Sequence, residues 1–287
     1  MVAETIIFII VLAALIIGTY TDFKTREVPD WLNYGLIFIG LGLRIMFSLT
    51  YSDLDYIIHG MLGFGAFFII AVAMFYAGQW GGGDAKMVMG LGALLGLQLS
   101  WDTFLLGFFL NIILFGALFG LAYSIYLAIA HHKAFVKEFN KRFAAQKRIK
   151  WVIWIGTIVF LLSSALLPFP MRISLVVLAG LIFITFYAFI YLKSVEAVCM
   201  IKWIPPEKLT EGDWIVKDII VDKKRICGPK DLGIEMKQIK KLIALKKKGR
   251  IKKVLVKYGI PFVPSFLLAF IGTYLWGNII FRLLGLA

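Results

Sequence analysis

Eight apolar runs constrain this chain more than any other feature: residues 5–21, 31–50, 56–78, 84–99, 104–130, 151–167, 173–192 and 260–284. A membrane-spanning helix needs about 17 to 25 residues, and all but one of these runs meet that length. The run 84–99 is slightly short, and its Gly90, Gly92 and Gly96 suit close helix packing. Only 17% of the 287 residues are charged, against about 25% in soluble domains. The pattern predicts an α-helical polytopic membrane protein with about eight transmembrane helices, six being the alternative count. The first run has no basic residue before it, so it reads as a retained helix rather than a cleaved signal peptide.

The net charge of +14 is unevenly spread among the connections. Residues 22–30 hold Lys24 and Arg26, and 79–86 hold Lys86. Residues 131–150 hold seven basic residues and 193–259 hold eighteen, whereas 51–55 and 100–103 hold none. Basic residues accumulate on the cytoplasmic side, so the first, third, fifth and seventh connections are expected in the cytoplasm and both termini outside. The excess charge marks a membrane side rather than a nucleic-acid partner. Cys199 and Cys227 form no CxxC pair, so the count excludes a four-cysteine zinc site and a disulfide framework.

Residues 1–192 are expected to form a transmembrane catalytic domain with a basic cytoplasmic loop at 131–150. Residues 193–259 form a cytoplasmic α/β insert and 260–287 a C-terminal transmembrane helix. Within the insert, 195–204, 214–221 and 251–258 are rich in β-branched and aromatic residues, which predicts strands. The apolar spacing over 234–248 predicts a helix that Gly249 ends.

Two carboxylates stand at the edges of apolar runs. Asp22 closes the first, and Asp84 opens the fourth within Gly81-Gly82-Gly83-Asp84-Ala85-Lys86. The charge alternation alone puts both at one membrane face. An ionisable residue at such a place is a functional-site hypothesis. Paired carboxylates can share a proton, one activating water while the other stays protonated, which is the chemistry of aspartyl proteolysis. Glycines before Asp84 free the backbone and let an extended substrate approach. Taken singly, Asp22 reads as an interfacial charge and Asp84 as part of a helix cap.

The segment from Tyr20 to Asn33, with Asp22 at a helix end and a basic stretch leading to Val28-Pro29-Asp30, resembles the first catalytic segment of type IV prepilin peptidases. Gly81 to Lys86 resembles that family's GxGD motif with its following lysine. The resemblance covers roughly residues 5–96. It implies a GxGD membrane aspartyl protease, related in mechanism to presenilins, with Asp22 and Asp84 as the catalytic pair. Gly81, Gly83 and Lys86 match its motif and the approach to substrate. Bacterial members often carry a four-cysteine zinc module and N-methylate their products. The cysteines here do not allow that, so the chain looks more like the archaeal preflagellin and prepilin peptidase branch. No cofactor and no metal are implied. The expected substrates are precursor pilins or archaellins with class III type signal peptides, and membrane lipid is the other partner.

Three residue sets leave alternatives open. Lys86 either pairs with an aspartate or snorkels to the interface. The basic stretch 131–150 is an interfacial amphipathic helix or only a topogenic signal. Residues 258–265, with Pro261 and Pro264, read as a helix start or as a proline motif beside the site. His59, His131 and His132 lack metal-ligand spacing, and no HExxH or GxSxG motif is present. The competing function class is a proton- or cation-coupled transporter, since intramembrane aspartates also line ion paths. A membrane scaffold with a basic docking insert is a third.

Overall fold

The computed structural model describes residues 2–100 and 102–285. Each expected apolar run carries helix: α1 (Val2–Thr25), α2 (Asp30–Tyr51), α3 (Asp55–Tyr76), α4 (Gly82–Leu95), α5 (Phe104–Ala130), α7 (Lys147–Ser164), α8 (Phe169–Val195) and α10 (Val263–Trp276). The basic stretch forms α6 (His132–Ala145) and the first turn of α7. Among the described residues five helices are long and apolar enough to cross a membrane: α1, α2, α3, α5 and α8 with its continuation to Met200. The protein is therefore a polytopic helical membrane protein with a small strand-bearing region.

The chain forms two compact units. The first holds the described residues up to 122, residues 204–254, and those from 258 on. Its core lies among α1 to α5 and α10, where Val11, Leu15, Phe67, Met87, Leu91, Phe108 and Phe270 are buried. Helices α4 and α10 are both largely enclosed, each with eight of its 14 residues buried. Lipid tails are as apolar as Leu, so helices in a bilayer gain little by hiding Leu from them. They associate instead by close packing of small residues. Gly63 of α3 faces the Gly92 backbone of α4, and Gly90 of α4 faces Leu36 of α2.

The last apolar run, expected as one helix over 260–284, is two. Helix α10 ends at Gly277 in left-handed backbone (φ 65°), and α11 (Ile279–Leu283) restarts behind Asn278, whose side chain accepts from Phe281 N. Asn111 of α5 holds the break. Its Nδ2 donates to Thr273 Oγ1 at 2.9 Å and to the Gly277 carbonyl at 2.8 Å, and its Oδ1 accepts from Ile279 N at 3.3 Å. Asn111→Leu keeps the branched outline of the side chain and strands these groups. It is expected to destabilise the protein by about 1–3 kcal/mol, read by thermal unfolding in detergent; a change below about 0.5 kcal/mol would mean the bonds add nothing.

The first unit also contains β2 (Trp214–Ile215), the hairpin β3 (Ile219–Val221) and β4 (Lys224–Cys227), and α9 (Met236–Lys247). The expected strand over 214–221 is thus two short strands, and β4 was not expected. Asp222 and Lys223, both at positive φ (50° and 63°), make the hairpin turn without the glycine that signals one.

The second unit holds residues 123–203 and 255–257. The expected strand over 195–204 is half helical. Helix α8 runs to Val195 and continues as a π-helical turn, Glu196–Met200, before β1 (Ile201–Ile204), which pairs with β5 (Val254–Lys257). Val195 and Cys199 pack on Ala128 of α5, four residues apart as a helix places them, and Lys193 bridges Glu196 at 2.8 Å. Buried contacts at helical spacing override the β-branched composition. The basic segment α6 is an amphipathic helix. Its Phe135 and Phe143 pack against Tyr191 and Tyr187 of α8, and the ridge of Lys133, Lys137 and Lys141 is exposed.

Candidate active site

Three helix ends of the first unit meet at Asp22. The residue lies one turn from the end of α1 and is 5% exposed. Its Oδ2 accepts a hydrogen bond from the backbone N of Val263, the first residue of α10, at 2.9 Å. The first N–H groups of a helix have no partner within it, so a carboxylate placed there satisfies them. Gly18, one turn back on α1, gives the approach. A Cβ there would stand 2.8 Å from Met87 Cε of α4 and 3.2 Å from Val263 Cγ1 of α10.

Asp84 sits in the first turn of α4, half-buried, and its Oδ2 accepts from Gly81 N at 3.0 Å. That bond closes the amino end of α4 with a side chain from its third residue, the geometry of a capping-box carboxylate. Helices α1 and α4 touch, and Asp22 and Asp84 lie within electrostatic reach of each other. Sixty-two positions apart in sequence, the two carboxylates stand at ends of two helices that touch. Such a pair can divide the tasks of general base and general acid.

Gly81, Gly82 and Gly83 all avoid left-handed backbone, and Gly83 alone sits where space is tight. Gly81 has ordinary extended angles (φ −71°, ψ 164°). Gly83 lies against Val28, where a Cβ would meet Val28 N at 3.2 Å and Val28 Cβ at 3.3 Å. The Val28-Pro29 turn after Asp22 is thereby seated on the first turn of α4, which carries Asp84. The glycine that bends the chain here is Gly78, at φ 68°.

Lys86 contacts neither Asp22 nor Asp84. Its Nζ bridges Asp30 Oδ1 at 2.7 Å and stands 5.0 Å from the Tyr34 ring centre, joining α4 to the start of α2. Side-chain exposures of 34% and 67% make it a surface pair, of the kind that contributes about 0.2–1 kcal/mol. A double-mutant cycle with Lys86→Met and Asp30→Asn, followed by thermal unfolding, is expected to give a coupling in that range. A coupling above about 2 kcal/mol would make the bridge a main structural link.

Two further elements bound the site. Trp80 of the α3–α4 turn, 3% exposed, packs against the start of α10 with ring centres 6.1 Å from Phe262 and 5.6 Å from Phe266. Trp214 of the insert lies over the α3–α4 turn, where a Cβ on Gly78 would stand 3.1 Å from its Cη2. The two prolines around Phe262-Val263 were the sequence signal for the α10 contact. That segment both starts the helix and supplies the N–H to Asp22. No local pattern flags Trp214. Among the described residues no group of three His, Cys, Asp or Glu side chains is placed to hold a metal.

This arrangement, two acidic side chains at neighbouring helix ends in a polytopic membrane protein, defines a candidate membrane aspartyl protease. The model of the Type IV leader peptidase family matches residues 9–130, which include Asp22, Val28, Gly83, Asp84 and Lys86. The preflagellin peptidase of Methanococcus maripaludis is 40% identical over 88 residues, 31% of this chain and 38% of that protein. Those of Methanocaldococcus jannaschii and Methanococcus voltae are 37% and 39% identical over 88 and 90 residues, again 31% of this chain and 37% and 38% of theirs. The alignments thus span well under half of each relative. No solved structure matches the chain. Phe262 and Val263, which touch the site, lie beyond the matched residues.

Proposed function

We propose that this protein is a membrane aspartic endopeptidase that removes short basic leader peptides from prepilin- or preflagellin-type precursors. The observation that supports the reading is that buried Asp22 and half-buried Asp84 stand at the ends of the contacting helices α1 and α4. One carboxylate takes a proton from the attacking water. The other, protonated, hands its proton to the leaving amine, and the pair then exchanges roles for the next turnover. Because two close carboxylates titrate as a unit, the proton belongs to the pair.

The topology supports the substrate class. The connections that follow α1 and precede α4 are those with basic residues, so the aspartates face the cytoplasm and both termini face outward. A basic leader stays on that same side while its apolar helix enters the bilayer, which leaves the scissile bond at the depth of Asp22 and Asp84. The relatives that the chain matches are named as preflagellin peptidases, which points to that substrate. The large insert, residues 193–259, extends the reading to pilins, and its Trp214 lies over the α3–α4 turn at Gly78.

The test is cleavage in proteoliposomes of defined orientation, with a precursor archaellin and a precursor pilin added to one side. Shortened product from at least one precursor is expected only where the 131–150 loop faces the added substrate. Absence of product from both, with folded protein, would overturn the peptidase reading. Cleavage from the opposite side would overturn the orientation.

A further inference from the structure

Arg44 is a cation buried in the span α2, 8% exposed, and the proteolytic reading gives it no task. Its partner is not a carboxylate. Nε at 3.2 Å and Nη2 at 2.6 Å both donate to one backbone carbonyl, that of Leu94. Three neighbours are shaped around it. Gly60 of α3 takes the stem, since a Cβ there would stand 2.8 Å from Arg44 Cγ. Gly96, in left-handed backbone at φ 71°, turns the chain away under the guanidinium. Leu97 N then donates to the His59 carbonyl at 2.8 Å.

A lone charge in a bilayer is costly and persists only with a reason. The reason here is the length of α4. Its 14 residues make a rod of about 21 Å, short of the roughly 30 Å of hydrocarbon. The helix therefore ends inside the membrane, and its last carbonyls have no helical partner and no water. They also carry the negative end of the helix dipole. Arg44 supplies donors and charge to that end.

The opposite end of the rod carries Asp84, ten residues and about 15 Å away. Along the contact with α3, Gly63 and Gly92 meet backbone to backbone. Glycine against glycine lets helices approach closely, and beside it non-directional apolar contacts, Phe67 of α3 on Gly92 and Leu36 of α2 on Gly90, oppose sliding or turning of α4. The two-point bond from Arg44 to Leu94 is directional and fixes both movements. We propose that Arg44 is a positioning residue for Asp84: it sets the axial and rotational register of α4, and through it the placing of the Asp84 carboxylate against Asp22. The proposal rests on the peptidase reading for its effect on turnover, whereas its effect on geometry is independent of that reading.

The test has two readouts in the full-length protein. In a Cys199→Ser, Cys227→Ser background, Asp22→Cys with Asp84→Cys reports the spacing of the two positions by its rate of reaction with a short bifunctional thiol reagent. Phe8→Cys with Tyr274→Cys, whose native rings lie 4.5 Å apart on α1 and α10, reports the fold away from α4. Arg44→Met is expected to slow the 22–84 reaction about tenfold and leave the 8–274 reaction unchanged, and Arg44→Lys to recover most of the difference. With the aspartates intact, Arg44→Met is expected to lower kcat by about 10- to 100-fold, because misplacements near 1 Å cost that much, with KM within about twofold. Unchanged 22–84 reactivity in Arg44→Met overturns the proposal. So does parallel loss at both pairs in Arg44→Met and Arg44→Lys, which makes Arg44 a general structural residue. Were no variant to cleave any precursor, wild type included, the peptidase reading would fall and the thiol readout would still decide the role of Arg44.

Discussion

Asp84→Asn is expected to lower the rate of leader cleavage by about 10²- to 10⁴-fold, the span that a positioned acid or base contributes, while the protein stays folded. The amide is close to isosteric with the carboxyl group, and its oxygen can still accept the bond from Gly81 N that now measures 3.0 Å. The amino end of α4 therefore keeps its cap and the helix its place. What disappears is the ability to take or give a proton. Asp22→Asn follows the same logic with Val263 N as the donor. The two groups act as one unit, so the double variant is expected to lose no more than the worse of the singles. Asp22→Ala and Asp84→Ala lose the accepting oxygen as well, and Asp84→Ala should cost about 0.5–2 kcal/mol of stability, the range for a lost helix cap. Product formation on gels, measured with thermal unfolding of the same preparations, separates the two effects. An Asn variant at either position with turnover within tenfold of wild type would remove that residue from the chemistry.

The parts of this molecule that were legible in its sequence are those governed by hydrophobicity and by short motifs. The spans α1, α2, α3 and α5 fall within a few residues of the apolar runs because a bilayer demands length and uniform apolarity of any segment that crosses it. Asp22 and Asp84 stood out because a charge at a membrane edge is costly. The elements that differed are ruled by contacts between distant segments. Gly277-Asn278 breaks the last run, and Asn111, more than 160 positions away, completes the break. Val195 and Cys199 stay helical because Ala128 gives them a surface to bury against, whereas composition alone favours strand. The site follows the same division. The residue types were readable, but the Val263 N–H on Asp22, the bridge from Lys86 to Asp30 and the fork from Arg44 to Leu94 each join elements far apart in the chain.

Gly63 and Gly92 are expected to be the least replaceable residues outside the aspartate pair. A Cβ added to Gly63 would overlap the Gly92 carbonyl oxygen, and one added to Gly92 would overlap that of Gly63. Neither atom is the tip of a flexible side chain, so relief requires α3 and α4 to move apart. Alanine in a helix is intrinsically favoured over glycine by about 0.8–1.0 kcal/mol, which opposes the steric cost. Overpacking of a tight contact costs typically 1–3 kcal/mol, occasionally more, so Gly63→Ala and Gly92→Ala should destabilise despite better propensity. Gly65 of α3 and Gly42 of α2 have open space where a Cβ would go, so Gly65→Ala and Gly42→Ala should be neutral or slightly stabilising. The contrast between Gly63 and Gly65 within α3 isolates the contact from propensity. Activity is expected to fall further than stability. Helix α4 carries Asp84 at its amino end, and a helix pushed aside by about 1 Å takes the carboxylate with it, at a cost of about 10²-fold in rate. Thermal unfolding and cleavage of the four variants decide it. If Gly63→Ala were as stable as Gly65→Ala and fully active, the backbone-to-backbone contact of α3 with α4 would not hold Asp84 in place.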